Sequence, residues 1–186
     1  MKVGFVGASG SGKSTTAEAI FKRYNVGLIK EVARIVFEEF SEKYGFRDLV
    51  ELRNSDKYIN FQKRILCEQI GLEREAVREF DVVLCDRTVY DIYMYAYLYS
   101  KPRDFESFLS YYNYRMKTFE EYDKIFFFEY LKGVDVDDGF RTPDVKYRDT
   151  QEIILKKILE NLGINYTYIP QKPLEVRIGE VVKHIV

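Results

Sequence analysis

Gly7-Ala8-Ser9-Gly10-Ser11-Gly12-Lys13-Ser14 fits the pattern G-x-x-x-x-G-K-[ST], which fixes two glycines, a lysine and a hydroxyl in relative position. Glycines let the backbone turn tightly enough for successive N–H groups to converge on phosphate oxygens, and the N-terminus of a following helix adds partial positive charge. In such a cradle Lys13 reaches the β- and γ-phosphates, Ser14 offers its hydroxyl to magnesium and Thr15 donates to the α-phosphate. ATP with Mg2+ is the ligand this chemistry implies. A ligand-free glycine turn is the competing reading; against it, the pattern follows an apolar run and opens a helix-like one.

A bound triphosphate leaves three fates open for the γ-phosphoryl group: transfer to water, retention as a switch, or transfer to a small acceptor. Hydrolases of the motor type carry two adjacent carboxylates after a second diagnostic strand, whereas here Asp86 is followed by Arg87. Arginine cannot take a proton from water, but it can hold an anionic or hydroxylated acceptor and the charge developing on the transferred group. No guanine-reading N-K-x-D and no transporter-type signature is present. Asp86 stands at a strand end, where ligands collect in open α/β sheets, and is a candidate magnesium ligand with Ser14. Glu31, at the end of another short apolar run, is a candidate acceptor of a proton or hydrogen bond from an acceptor hydroxyl; a helix N-terminal glutamate serving only the helix dipole is the alternative. Between 133 and 149 the chain is polar, and its Arg141 and Arg148 suit a lid that closes over the phosphates, since phosphoryl transfer depends on charge neutralisation more than on covalent chemistry.

These residues need a scaffold that brings strand ends together. Lys2 to Val6 and Asp81 to Cys85 are continuous apolar runs, the mark of strands covered by helices on both faces, and Lys124 to Glu129 and Asn165 to Ile169 read the same way. Val26 to Ile29 is a further short strand. Apolar residues at helical spacing predict helices over Lys13–Tyr24, Ala33–Tyr44 with Gly45 as its stop, a long one capped by Ser55 or Asp56 and running to about Phe80, then Val89–Tyr99, Phe105–Tyr122, Thr150–Asn161 and one from Leu174. Strands alternating with helices predict an α/β, three-layer P-loop fold with a parallel sheet of about five strands and a mobile lid. No repeat or linker divides residues 1–186, so one domain is expected.

Composition narrows the partners. A net charge of −1 from 29 basic and 30 acidic residues offers no global attraction to a nucleic-acid polymer or an anionic membrane, so any polyanion bound is small and locally gripped. There is no secretory leader and no apolar run long enough for a bilayer, and Cys67 and Cys85 lack metal or redox spacing; the expectation is a cytoplasmic protein with both thiols in its core. Tyr90, Tyr93, Tyr95, Tyr97 and Tyr99 are spaced by two or three, which spreads them around a helix, so most read as core residues or a homodimer surface, with one ring stacking on an acceptor base as the alternative. His184 and Asp91 carry no catalytic assignment, the latter reading as a first-turn carboxylate.

The P-loop, Glu31-Val32-Ala33-Arg34, Gln62 on the long helix, Asp86-Arg87, Asp138-Gly139-Phe140-Arg141, Tyr147-Arg148 and Leu162-Gly163-Ile164-Asn165-Tyr166 together resemble the NadR-type branch of P-loop AAA_28 domains, which includes ribosylnicotinamide kinases. The Asp86-Arg87 pair is equally similar to deoxynucleoside and thymidylate kinases, although no proline follows Glu31 as it does there. The resemblance implies sheet order 2-3-1-4-5 and phosphorylation of a nucleoside-like hydroxyl by the kinase part alone, without the adenylyltransferase and DNA-binding parts of some NadR proteins. It also implies that Glu31, Arg34, Gln62 and Arg87 face the acceptor, with Gln62 reading the base. A nucleoside monophosphate held by Arg34 and Arg87 is the second acceptor class, and a nucleotide-binding regulatory switch is the reading from another class.

Overall fold

The computed structural model describes residues 1–131 and 145–185. Five strands form one sheet: β1 (Lys2–Val6), β2 (Gly27–Ile29), β3 (Val83–Asp86), β4 (Lys124–Phe128) and β5 (Thr167–Ile169), all paired in parallel in the order β2-β3-β1-β4-β5. Around it lie α1 (Lys13–Phe21), α2 (Val32–Tyr44), α3 (Leu49–Arg53), α4 (Tyr58–Glu79), α5 (Val89–Tyr99), α6 (Pro102–Met116), α7 (Val145–Asn161) and α8 (Leu174–Val182).

Side chains of a strand point alternately to its two faces, and both faces of this sheet are covered. In β4, Phe126 and Phe128 join Val3, Phe5 and Leu84 beneath α1 and α8, where Ala17, Ile20, Ile178 and Val181 complete one core. Ile125 and Phe127 point the other way with Val83 and Cys85, into a larger core built with Phe61, Ile65 and Leu66 of α4, Ile92 and Met94 of α5, and Leu155 and Leu159 of α7. This is why the strands read as unbroken apolar runs.

The order expected from the resemblance is the order found. Boundaries differ where local signals compete. α6 starts at Pro102, whose fixed φ and missing N–H suit a first helical position, and ends at Met116. α4 begins at Tyr58 rather than directly after Ser55, although the Ser55 hydroxyl accepts from the Lys57 N–H at 3.1 Å just before it. α3, unanticipated, is capped by Asp48, whose carboxylate accepts from the Glu51 N–H. α7 starts at Val145, so the last part of the expected lid, including Arg148, is helix; Arg141 and the rest of that segment lie outside the described residues. Cys85 is buried as expected, whereas Cys67 is only half-buried and its Sγ accepts from Arg115 Nη1 at 3.3 Å. Among the described residues no helix is long and apolar enough to cross a membrane.

Candidate active site

The glycine loop joins the end of β1 to the N-terminus of α1. Gly7 adopts φ +147°, and a Cβ there would lie 2.5 Å from the Phe128 carbonyl oxygen of β4. Gly12, at φ +79°, precedes α1, and its Cβ would overlap Arg177 Nη1. Only glycine fits either place. Lys13 is buried, its Nζ donating to Gly7 O at 2.7 Å, Ala8 O at 2.9 Å and Ser11 Oγ at 3.0 Å, which holds the ammonium inside the curve of the loop. Two side chains from distant elements grip the same loop. Gln151 of α7 accepts from the Ser9 N–H at 3.0 Å, and Arg177 of α8 donates to the Gly12 carbonyl at 3.1 Å.

Asp86 closes β3 beside this loop. Ser14 and Asp86 line one cleft, and Asp86 Oδ1 is buried with no hydrogen-bond partner among the described residues. Burial pushes the Asp86 pKa up; Lys13, Ser14 and Arg87 pull against that without reversing it. A hydroxyl next to an orphaned carboxylate oxygen fits a hard divalent cation whose remaining ligands are phosphate oxygens and water. The described residues contain no cluster of three or more His, Cys, Asp or Glu that could hold a metal without such help.

One residue further, Arg87 is the single non-glycine residue with positive φ among those described, at +94°. Such a backbone costs about 1–3 kcal/mol and persists only where its surroundings enforce it. Its Nε donates to Glu31 Oε1 at 2.6 Å and its Nη1 to the Tyr95 hydroxyl at 3.1 Å, with Asp91 Oδ1 3.9 Å away. Burial alone lowers the Arg87 pKa, yet Glu31, Tyr95, Asp91 and Asp86 outweigh it and the net direction is strongly upward, so the guanidinium stays charged. Asp91 Oδ2 completes a capping box with Thr88 at the start of α5, while its Oδ1 is buried with no hydrogen-bond partner among the described residues. Glu31, at the N-cap position of α2, makes no capping bond there; Arg34 Nε lies 3.5 Å from its Oε2.

Between α2, α4, α5 and α7 opens a cleft that Glu31, Gln62, Arg87 and Arg148 line together. Gln62 Nε2 donates to the Tyr58 hydroxyl at 2.8 Å, and that hydroxyl donates to the Tyr95 carbonyl at 3.1 Å. Tyr95 and Tyr99, one helical turn apart, stack at 6.0 Å and 15°, and Arg53 of α3 lies 4.4 Å from the Tyr99 ring centroid. Arg148 is not on a loop: it sits on α7, 1 % exposed, with Nη1 donating to the Tyr130 hydroxyl at 2.8 Å and lying 3.5 Å from the position of a Gly10 Cβ. It faces the glycine loop from above. Arg34 lies outside this cleft, in a second one with Ser14, Lys30, Glu31 and Asp86.

Tyr58, Arg53, Gln151 and Arg177 were not singled out from the sequence, and Tyr95 and Tyr99, read there mainly as core or homodimer-surface residues, line the cleft. The pairs Tyr95/Tyr99 and Tyr58/Gln62 stand at i,i+4 spacing, a legible signal; Arg53, Gln151 and Arg177 give none.

A profile of the AAA_28 family, described as an AAA domain, matches residues 2–177. The chain belongs to the AAA_28 family. Solved structures share the fold of this AAA_28 chain. A NadR protein in complex with NAD and AMP-PNP superposes with TM-score 0.73 at 17% identity over 99% of this chain and 49% of that one. A NadR protein in complex with NR gives 0.72 at 19% identity over 98% and 49%, so the chain spans about half the length of these NadR chains. Deoxyadenosine kinase from M. mycoides, with dCMP and dCDP bound, gives 0.68 at 14% identity over 99% of this chain and 98% of that one. None of the curated proteins compared with the AAA_28 chain matches it.

Proposed function

We propose that this AAA_28 protein is an ATP- and Mg2+-dependent kinase that phosphorylates a hydroxyl of a small nucleoside-like acceptor, with ribosylnicotinamide the first candidate. The observation that carries the proposal is the buried Arg87–Glu31 pair at 2.6 Å, set in the aromatic cleft directly after the strand-end Asp86. A water-activating site needs a second carboxylate there; an acceptor site needs a hydroxyl-accepting carboxylate with a fixed cation, which is what stands there.

In this reading the backbone N–H groups of 7–12, with Lys13, bind the β- and γ-phosphates, and Ser14 and Asp86 hold the magnesium ion. The ion supplies charge neutralisation between the phosphates. Glu31 accepts the hydrogen bond of the acceptor hydroxyl, orienting its oxygen toward the γ-phosphorus. Arg87 fixes Glu31 and, with Arg148 above Gly10, offsets charge on the transferred group. Gln62, oriented by the Tyr58 hydroxyl, meets the polar edge of the base, while the Tyr95 and Tyr99 rings give it an apolar wall. Arg34 flanks Glu31 from the neighbouring cleft, and Arg141 belongs to the proposed lid. A deoxynucleoside or nucleoside monophosphate is the second acceptor reading, favoured by the deoxyadenosine kinase whose whole length this chain matches.

The test is ADP release from Mg-ATP with ribosylnicotinamide, common nucleosides, deoxynucleosides and their monophosphates, with product mass determined. Stimulation by one acceptor and a product one phosphoryl group heavier is expected. ATP binding without stimulation by any acceptor overturns the kinase reading in favour of a regulatory nucleotide switch.

A further inference from the structure

At the wall of the proposed acceptor cleft, which Gln69 lines, begins a buried polar network to which the proposed function gives no role. Glu73 of α4 is 1 % exposed. Its Oε2 accepts from Lys2 Nζ at 2.9 Å, and its Oε1 from the Tyr122 hydroxyl at 2.6 Å and from Gln69 Nε2 at 2.8 Å. The network then reaches backbone just beyond β3. Gln69 Nε2 also donates to the Arg87 carbonyl at 3.3 Å, and the Tyr122 hydroxyl accepts from the Val89 N–H at 3.1 Å. Both residues flanking Thr88 are therefore held from α4, directly or through Tyr122.

The residue so held is the one with the unfavourable backbone. Arg87, at φ +94°, directs its carbonyl to Gln69 and its guanidinium to Glu31 and Tyr95. A glutamine suits this place for a chemical reason: its amide nitrogen carries two hydrogens, and a carboxylate can only accept. Glu73 consequently fixes the amide with its nitrogen forward, so that the second hydrogen meets the Arg87 carbonyl. Lys2 and Tyr122 hold Glu73 in turn.

We infer that Gln69, oriented by Glu73, is a positioning residue that keeps Arg87 in its left-handed conformation and so aims its guanidinium at Glu31. The consequence for turnover rests on the kinase reading above; the consequence for Arg87 does not.

Two isosteric variants separate positioning from mere support of the core. Gln69→Met keeps length and volume but cannot donate. Glu73→Gln keeps an acceptor oxygen for Gln69 and Tyr122 and removes from Lys2 both its counter-charge and the Oε2 acceptor. The readout is the Arg87 Nε–Hε signal in arginine-selective NMR, assigned by its loss in Arg87→Lys, together with thermal stability and initial rates. In Gln69→Met the signal should leave its hydrogen-bonded position, and kcat should fall roughly tenfold while KM for ATP stays within about twofold. In Glu73→Gln stability should fall with the Arg87 signal in place. An Arg87 signal unmoved by Gln69→Met, or displaced in both variants in proportion to lost stability, overturns the inference, as does a moved signal with undiminished kcat in an active parent. If the parent phosphorylates no acceptor, the proposed function fails, and the Arg87 signal still decides the positioning role.

Discussion

Replacing Gly12 by alanine tests the cradle at a single atom. The residue stands at φ +79°, and its added Cβ would overlap Arg177 Nη1. Arg177 is 6 % exposed, donates to the Gly12 carbonyl at 3.1 Å and to the Lys172 carbonyl at 3.0 Å, and has a pKa lowered by burial. Two costs follow. The left-handed backbone costs alanine about 1–2 kcal/mol. Expelling a buried, charged donor from its carbonyls costs about 1.5–3 kcal/mol more. Gly12→Ala should therefore destabilise the protein by about 2.5–5 kcal/mol, a fall in urea midpoint of about 1–2 M for a chain of this size. Once Arg177→Ala has removed the obstacle, the same substitution should cost only about 1–2 kcal/mol. Urea denaturation of the parent, both single variants and the double variant measures the difference. A coupling of about 1.5–3 kcal/mol is expected, well beyond the ~0.5 kcal/mol within which independent sites add. An equal cost of Gly12→Ala in both backgrounds would refute the clamp of α8 on the loop.

Asp86→Asn should separate stability from function. Burial raises the Asp86 pKa, so the folded state penalises its ionised form at neutral pH, and the penalty vanishes as pH falls below the unfolded-state pKa. Without magnesium, the variant should be more stable than the parent at pH 7, a gain that shrinks toward about pH 4, while acceptor-dependent turnover is lost; thermal denaturation across pH checks the first part, and a gain that grows on acidification contradicts it. Gln62→Ala should raise acceptor KM by about five- to tenfold with ATP KM unchanged, measured by initial rates, and a change confined to ATP would move Gln62 out of the acceptor cleft.

What the sequence disclosed followed from how local each signal is. The glycine loop is read from consecutive residues, and the buried strands from unbroken apolar runs such as Lys124 to Phe128. α3 escaped because a five-residue helix is too short to show a period. Arg148 was assigned to a loop because its neighbours are polar, although Arg148, Gln151 and Leu155 share the inward face of α7; a buried arginine is rare enough to mislead. The Arg87–Glu31 pair had its members named but not its contact, since they meet only because β2 lies beside β3. Gln69 and Glu73 stand at i,i+4 on a helix rich in charge, and nothing in the sequence separates them from the solvated pairs around them.

The central place of β1 bears on how the protein is made. β1 leaves the ribosome before the other strands, yet the partners on its two sides begin at Val83 and Lys124. At about 5–20 residues per second it waits roughly 6–25 s for the second of them, with its apolar side chains uncovered. Throughout that interval the glycine loop hangs from an unpaired strand, and the Phe128 carbonyl against which Gly7 packs has yet to be synthesised. In the kinase reading, triphosphate affinity is thus a late acquisition of the nascent chain, and a ribosome stalled before Phe128 has emerged displays the complete loop sequence without a working cradle.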